Sequence, residues 1–238
     1  MINWFYFNKL NSYDDLQAAV TSKTPYSAPA PDITLQTIPG RSGDLIIDNG
    51  RYKNVDVGYT CAIVTPEEFC RAARRIRAAL LSQGNGYKQL SDSYDADYFR
   101  LATIEKAIAI TQNGIHDGKL SVTFNCKPFR YSHAGQRIIT LTGGGKIVNY
   151  EKFPALPYIK IIGRGAVTLN INGVQFPISE VNEYVEIDSE SMNTYKGAEN
   201  KNATAGSLIY PSFTAGENSI GWTGNVSAVQ IIPRWRTL

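Results

Sequence analysis

Apolar and polar residues alternate in short runs along most of this chain, and signals for chain reversal separate the runs. Val167-Thr168-Leu169-Asn170-Ile171 and Val174-Gln175-Phe176 flank Asn172-Gly173. Alternation at a period of two puts successive side chains on opposite faces of a strand, and Asn-Gly tolerates the positive φ of a two-residue type I′ turn. A hairpin is predicted there. The same reading predicts reversals at Asn49-Gly50, between Leu45–Asp48 and Arg51–Val55, and at Asn113-Gly114 with Asp117-Gly118, between Ala107–Thr111 and Lys119–Phe124. Thr223-Gly224-Asn225 predicts another, between Ser219–Trp222 and Val226–Ile232. Gly143-Gly144-Gly145 reads as a hairpin tip rather than a phosphate cradle, since it lies between two strand-like runs and lacks the Walker spacing. Met1–Phe7 reads as a first strand, Asp92–Asp97 as a turn, and the polar stretch Ser189–Ala205 as a long loop. Many short strands between turn signals predict a mainly β chain of sandwich or barrel type.

One segment changes period. Phe69, Ala72, Ala73, Ile76 and Leu80 follow helical spacing, and Gly84-Asn85-Gly86 closes the run. Thr65-Pro66-Glu67-Glu68 ahead of it predicts a capping box with proline at the first helical position. Arg71, Arg74 and Arg75 fall on the opposite face, either as a phosphate-binding stripe or as a solvated face supported by Glu67 and Glu68.

The character of the chain shifts after Pro128-Phe129-Arg130-Tyr131, where serine, histidine, glycine and proline gather. A boundary there divides the 238 residues into an N-terminal domain, 1–133, and a C-terminal domain, 134–238, each of ordinary size. Apolar content of 43% and charged content of 19% suffice for packed cores. Tyrosine, with 14 copies, suits strands and interfaces. The net charge of +3 shows no clustered basic excess beyond the helix face, against a dedicated nucleic-acid binder. No run approaches the length of a membrane span, and the N-terminus lacks a basic region and cleavage site of a signal peptide. Cys61, Cys70 and Cys126 are few and odd in number, and read as free, buried thiols rather than reactive or metal-bound ones.

Catalytic chemistry finds little to work with. The two histidines, His116 and His133, sit near turns, without C-x-x-C or H-E-x-x-H spacing to make a metal site. No G-x-S-x-G is present, and Cys70 lies within the helix rather than at its N-terminus. Asp92, Asp95, Asp97, Glu183, Glu186, Asp188 and Glu190 are the carboxylates a glycosidase could pair across a cleft. The alternative of Glu183 and Glu186 on a strand facing water predicts no such pair. The reading is a non-enzyme without catalytic residues, metal or cofactor.

Two stretches resemble a known family. Ile38-Pro39-Gly40-Arg41-Ser42-Gly43-Asp44-Leu45, followed by Asn49-Gly50-Arg51-Tyr52-Lys53-Asn54-Val55, is similar to the N-terminal signature of siphophage distal tail proteins. Asp188-Ser189-Glu190, Tyr195-Lys196-Gly197, Pro211-Ser212-Phe213, Gly216-Glu217-Asn218-Ser219-Ile220 and Ile231-Ile232-Pro233-Arg234-Trp235-Arg236 resemble its closing segment, with Ala215 in place of a corner proline. The resemblance implies an N-terminal β-sandwich or split barrel with one helix, and a C-terminal galectin-like β-sandwich. It implies the plain form, without an inserted carbohydrate-binding module. It implies a six-fold ring of self-associated subunits at the tail tip or baseplate hub, joined to the tail tube protein and to tail-tip and receptor-binding proteins. Phage DNA would pass through the channel only as cargo. The location would be the virion, preceded by the host cytoplasm during assembly, with no membrane partner.

Within that frame, Ile38–Val57 is expected to extend as an arm over the next subunit. Leu45, Ile46 and Ile47 in a row put apolar side chains on both faces of a strand, so one face should lack cover in its own domain. Arg51, Tyr52 and Trp235 are further interface candidates, Trp235 being equally readable as a terminal strand packed on its own domain. Tyr195 and Tyr210 are the aromatics that could face a glycan if the C-terminal domain were instead a carbohydrate-binding module for host surface glycans.

Overall fold

The computed structural model describes residues 2–26 and 28–238, so Met1 of the expected first strand lies outside the described residues. The chain is mainly β, with curled sheets and one α-helix. It divides into two compact units, residues 1–130 with Leu238, and residues 131–237.

The first unit contains β1 (Phe5–Phe7), β2 (Leu10–Asn11), β3 (Ala18–Lys23), β4 (Pro31–Gln36), β5 (Leu45–Tyr52) and β6 (Val55–Val64). Helix α1 (Phe69–Leu81) follows, then β7 (Lys88–Asp92), β8 (Tyr98–Thr103), β9 (Ala109–Gln112) and β10 (Asp117–Ser132), which belongs to this unit through Arg130. The main sheet runs β2-β1-β7-β8-β10-β6-β3, with β9 also paired to β10. Alternation decides which face is buried. Val57, Tyr59, Cys61 and Ile63 of β6 and Leu120, Val122, Phe124 and Cys126 of β10 all point inward. Phe5, Phe7 and Tyr59 surround Phe124 with ring centroids 4.8 to 6.0 Å apart, at the tilted or edge-on angles that aromatic quadrupoles favour. Each such side chain contributes about 1.5–3 kcal/mol by leaving water.

Helix α1 covers this core with Phe69, Ala72, Ile76 and Leu80, the stripe predicted from the sequence. Its start differs. The helix begins at Phe69 with Glu68 as N-cap and no side-chain cap, while Thr65 Oγ1 instead accepts the Glu67 N–H at 3.3 Å. The Phe69 N–H donates to the Ile115 carbonyl at 3.0 Å, so a loop carbonyl satisfies a free donor that the capping box was expected to serve. Gly118 lies under the Phe69 ring, where any Cβ would collide with it.

The second unit contains β11 (Ile139–Leu141), β12 (Gly145–Asn149), β13 (Tyr158–Ile171), β14 (Val174–Asp188), β15 (Asn193–Lys196), β16 (Glu199–Asn200) and β17 (Gly216–Ile232). Its sheet runs β11-β17-β13-β14-β15-β16, with β12 also on β17. The Asn172-Gly173 hairpin forms as predicted: Ile171 pairs with Val174, the two turn residues have φ of 54° and 85°, and Asn170 Oδ1 accepts the Gly173 N–H at 2.9 Å. The reversal before β10 also forms, with Gln112 opposite Gly118.

Two other expected turns are bulges within strands, and a third joins strands that do not pair with each other. Asn49-Gly50 lies inside β5, where the register against β4 shifts between Pro31 and Ile33, and Asp48 accepts the Gly50 N–H. Thr223-Gly224-Asn225 lies inside β17, beside register shifts at Ile162/Gly163 and Arg164/Val167. Gly143–Gly145 separates β11 and β12, which pair with different parts of β17 rather than with each other. The stretch Ser189–Ala205 carries β15, β16 and a 3-10 turn, not a bare loop. Glycine at positive φ serves a bulge as well as a turn, and local sequence does not separate the two. Among the described residues no helix is long and apolar enough to cross a membrane.

Candidate subunit interface

β4 and β5 pair only with each other, as a two-stranded sheet apart from the main one. The partner of Leu45–Tyr52 is Pro31–Gln36, and the connection is residues 37–44, so the arm spans 31–52 rather than the expected Ile38–Val57. Gly40 and Gly43, at φ of 80° and 85°, shape the tip, and Thr37 Oγ1 donates to Asp44 across it at 2.9 Å. At the root, Asp32 accepts from Arg51 at 2.7 Å with Lys53 at 3.6 Å, and the Tyr52 ring meets the Phe129 ring edge-on at 5.9 Å. Desolvation pushes the Asp32 carboxyl upward, but its hydrogen bond and charge contact with Arg51 outweigh this and hold it below the usual carboxylate range.

The register assigns the arm's faces. Leu35 lies opposite Ile46 and, with Ile33 two residues away, forms one apolar face. Leu45 and Ile47 lie on the other face, opposite Gln36 and Thr34. All five aliphatics are exposed, with Ile46 at 63% and Leu35 at 58%. A two-stranded ribbon alone in water is marginally stable, and exposed aliphatics on both its faces lack the cover that would hold it. Ile33 and Leu35 escaped the sequence reading. Their signal is the alternation Ile33-Thr34-Leu35-Gln36, which is weaker than the Asn-Gly pair further on.

The remaining candidates are dispersed. Trp235 is 9% exposed and packs at 5.6 Å from the Phe213 ring in the core of the second unit. It packs on its own domain, the second of its two expected placements, and its flanking arginines turn aside, Arg234 to Asp188 and Arg236 to the Pro154 carbonyl. Tyr210 is half-buried against Phe176, its hydroxyl near Thr194 and Asn202. Tyr195 lies on β15 and borders a different hollow, with Asn193, Gly197 and Asn200. The two tyrosines do not form one site.

Among the described residues, six of the seven candidate carboxylates are bound to neighbours, Asp97 being the exception. Asp92 is buried and accepts from Lys23 at 2.6 Å and Tyr59 at 2.5 Å. Burial, then the charge of Asp92, pushes the Tyr59 hydroxyl well above its ordinary value. Asp95 pairs with Arg130, Glu183 with Lys196, and Asp188 with Arg234, while Glu186 accepts from Tyr158 and the Gly197 N–H. Glu190 accepts from Tyr131 at 3.1 Å. Cys61 and Cys126 are buried and their thiols pushed up to about 12 by burial, whereas Cys70 is exposed, contrary to the expectation of three buried thiols. His116 Nδ1 lies 3.0 Å from the Glu67 carbonyl. Among the described residues no three His, Cys, Asp or Glu side chains converge as a metal site.

No family model matches the chain, and no curated protein matches it. Solved structures do. The SPP1 Dit (gp 19.1) protein, described as a paradigm of the hub adsorption apparatus in Gram-positive infecting phages, superimposes over 100% of both chains with a TM-score of 0.75 at 11% identity. A chain of the phage p2 baseplate in its activated conformation, solved with Sr and with Ca, matches over 97% of both chains with a TM-score of 0.53 at 9% identity. The likeness is one of fold, and it runs the length of the chain. It agrees with the resemblance to siphophage distal tail proteins read from the sequence motifs.

Proposed function

We propose that this chain is a structural, non-enzymatic distal tail protein of a bacteriophage tail tip, and that its copies close into a ring through the β4–β5 arm. The arm carries the reading: it exposes aliphatics on both faces, and a second copy of the chain is the partner that would cover them. Leu45, Ile46, Ile47, Arg51 and Tyr52, with Ile33 and Leu35, are the proposed contact residues. A head-to-tail contact of this kind generates a ring when its rotation closes. A stable one buries on the order of 1,200–2,000 Å² per contact. The full-length likeness to SPP1 Dit supports a hub position, and the motif resemblance to siphophage distal tail proteins implies a six-fold ring that joins the tail tube to tail-tip and receptor-binding proteins around a channel for DNA. The engagement of Asp92, Asp95, Glu183, Glu186, Asp188 and Glu190 in ion pairs or hydrogen bonds supports the absence of hydrolase chemistry. Negative-stain images of the purified protein test the reading. Rings with a central hole are expected; a field of isolated monomers at every concentration would count against it.

A further inference from the structure

The outer face of α1 is not used by the arm. Cys70, Arg74, Arg77 and Leu81 follow one another at i, i+4, i+7 and i+11, so they form one stripe along the helix, and all four are exposed. Arg71 flanks the stripe at the helix start. Arg75 does not belong to it, being turned to Glu67 at 3.0 Å, the Asp15 carbonyl at 2.7 Å and Gln17 at 3.0 Å. The arginines of the stripe lack such partners. Among the described residues Arg74 makes no ion pair or hydrogen bond, and Arg77 donates only to the Ala73 carbonyl of its own helix at 3.3 Å. Arg71 reaches Glu68 only at 3.7 Å, with both side chains exposed. Leu81, 63% exposed, closes the stripe.

We infer that this stripe is a docking surface for a partner protein that presents carboxylates around an apolar side chain. Charge complementarity sets the partner's chemistry: two guanidinium groups stand without a counter-charge on a fixed helix, and their planar forks match carboxylates bidentately. The exposed leucine beside them favours a protein over a nucleic acid. From Arg74 to Leu81 the stripe rises only about 10 Å, which is short for the several phosphates that a nucleic-acid site neutralises. Arginine beside an aliphatic side chain, by contrast, is a composition enriched at protein interfaces.

The test uses the full chain and two probes, a fluorescein-labelled synthetic helix with glutamates flanking a leucine stripe and a DNA duplex of equal length. Binding is followed by anisotropy at low and high salt. The wild type is expected to bind the acidic helix more tightly than the duplex. R74E/R77E is expected to weaken helix binding by about tenfold or more, and L81S to weaken it at high salt, where charge is screened. Unchanged particle size and thermal unfolding in both variants are expected, since all three side chains are exposed. Tighter binding of the duplex, failure of the wild type to bind the helix, or indifference to R74E/R77E would overturn the inference. A loss of self-association in R74E/R77E would assign the surface to a second copy and overturn it equally, whereas failure of the ring with this surface intact would count only against the arm.

Discussion

Asp188 and Arg234 show how far single residues were readable. The sequence offered Asp188 as half of a possible catalytic pair. In the fold its carboxylate holds Arg234 at 2.7 and 3.2 Å, with Glu190 at 3.7 Å from the same guanidinium. Arg234 itself has a φ of 57°, unusual for a side chain with a Cβ, and its N–H donates to the Gly135 carbonyl. A partner some 46 residues away in sequence is invisible to local pattern, so the role had to come from the structure. Burial raises the Asp188 carboxyl, but the hydrogen bond and charge contact with Arg234 outweigh it and leave it lowered. A carboxyl depressed in the folded state adds stability above its unfolded value, near ~4, and that stability is lost as pH falls through the folded value. Thermal unfolding of the second unit should therefore weaken on acidification below about pH 4. Asp188→Asn should cost about 1–2 kcal/mol at neutral pH, with the difference from wild type closing in acid. A constant difference from neutral to acid pH would remove the ion pair from the account.

At the scale of elements, signals that depend on near neighbours were read correctly. The stripe on α1 and the Asn172-Gly173 turn needed only local spacing and local φ. What failed was the distinction between a turn and a bulge, because Gly50 and Gly224 permit the same positive φ in either setting. The consequence differs between sites. Gly173 stands in open space, so Gly173→Ala should cost only the left-handed backbone term, about 1–2 kcal/mol. Gly224, at φ 101°, would in addition drive a Cβ into the Ala166 carbonyl, so Gly224→Ala should cost distinctly more, about 3 kcal/mol or above. Denaturant melts of the two variants decide it, and equal costs would mean that the β17 bulge yields easily. The domain boundary bears on stability as well. Tyr131 donates to Glu190 and the Ser132 N–H to the Trp235 carbonyl at 2.9 Å, and both residues are buried. We expect a 131–238 fragment to unfold cooperatively, and a 134–238 fragment, begun at the boundary read from the sequence, to melt about 10 °C lower. Matching melting curves would show that these contacts add nothing.

For the whole molecule, the mainly β character was legible in the alternation and the turn spacing, and the family resemblance in the order of motifs. The geometry of the arm was only half legible. Leu45-Ile46-Ile47 announced side chains on both faces, but its pairing with Pro31–Gln36 depends on a register that no local pattern fixes. The arm is proposed to hold copies of the chain together. Light scattering on purified wild type and Ile46→Asp, each over a range of concentrations, tests it most directly. The wild type should give a multiple of the 26.3 kDa chain mass, six-fold in the closed ring. The variant should give the single-chain mass with unchanged thermal unfolding, since a charge at an exposed position leaves the core untouched. A ring mass that persists in Ile46→Asp, a variant that unfolds, or a wild type that stays at 26.3 kDa at every concentration would contradict it.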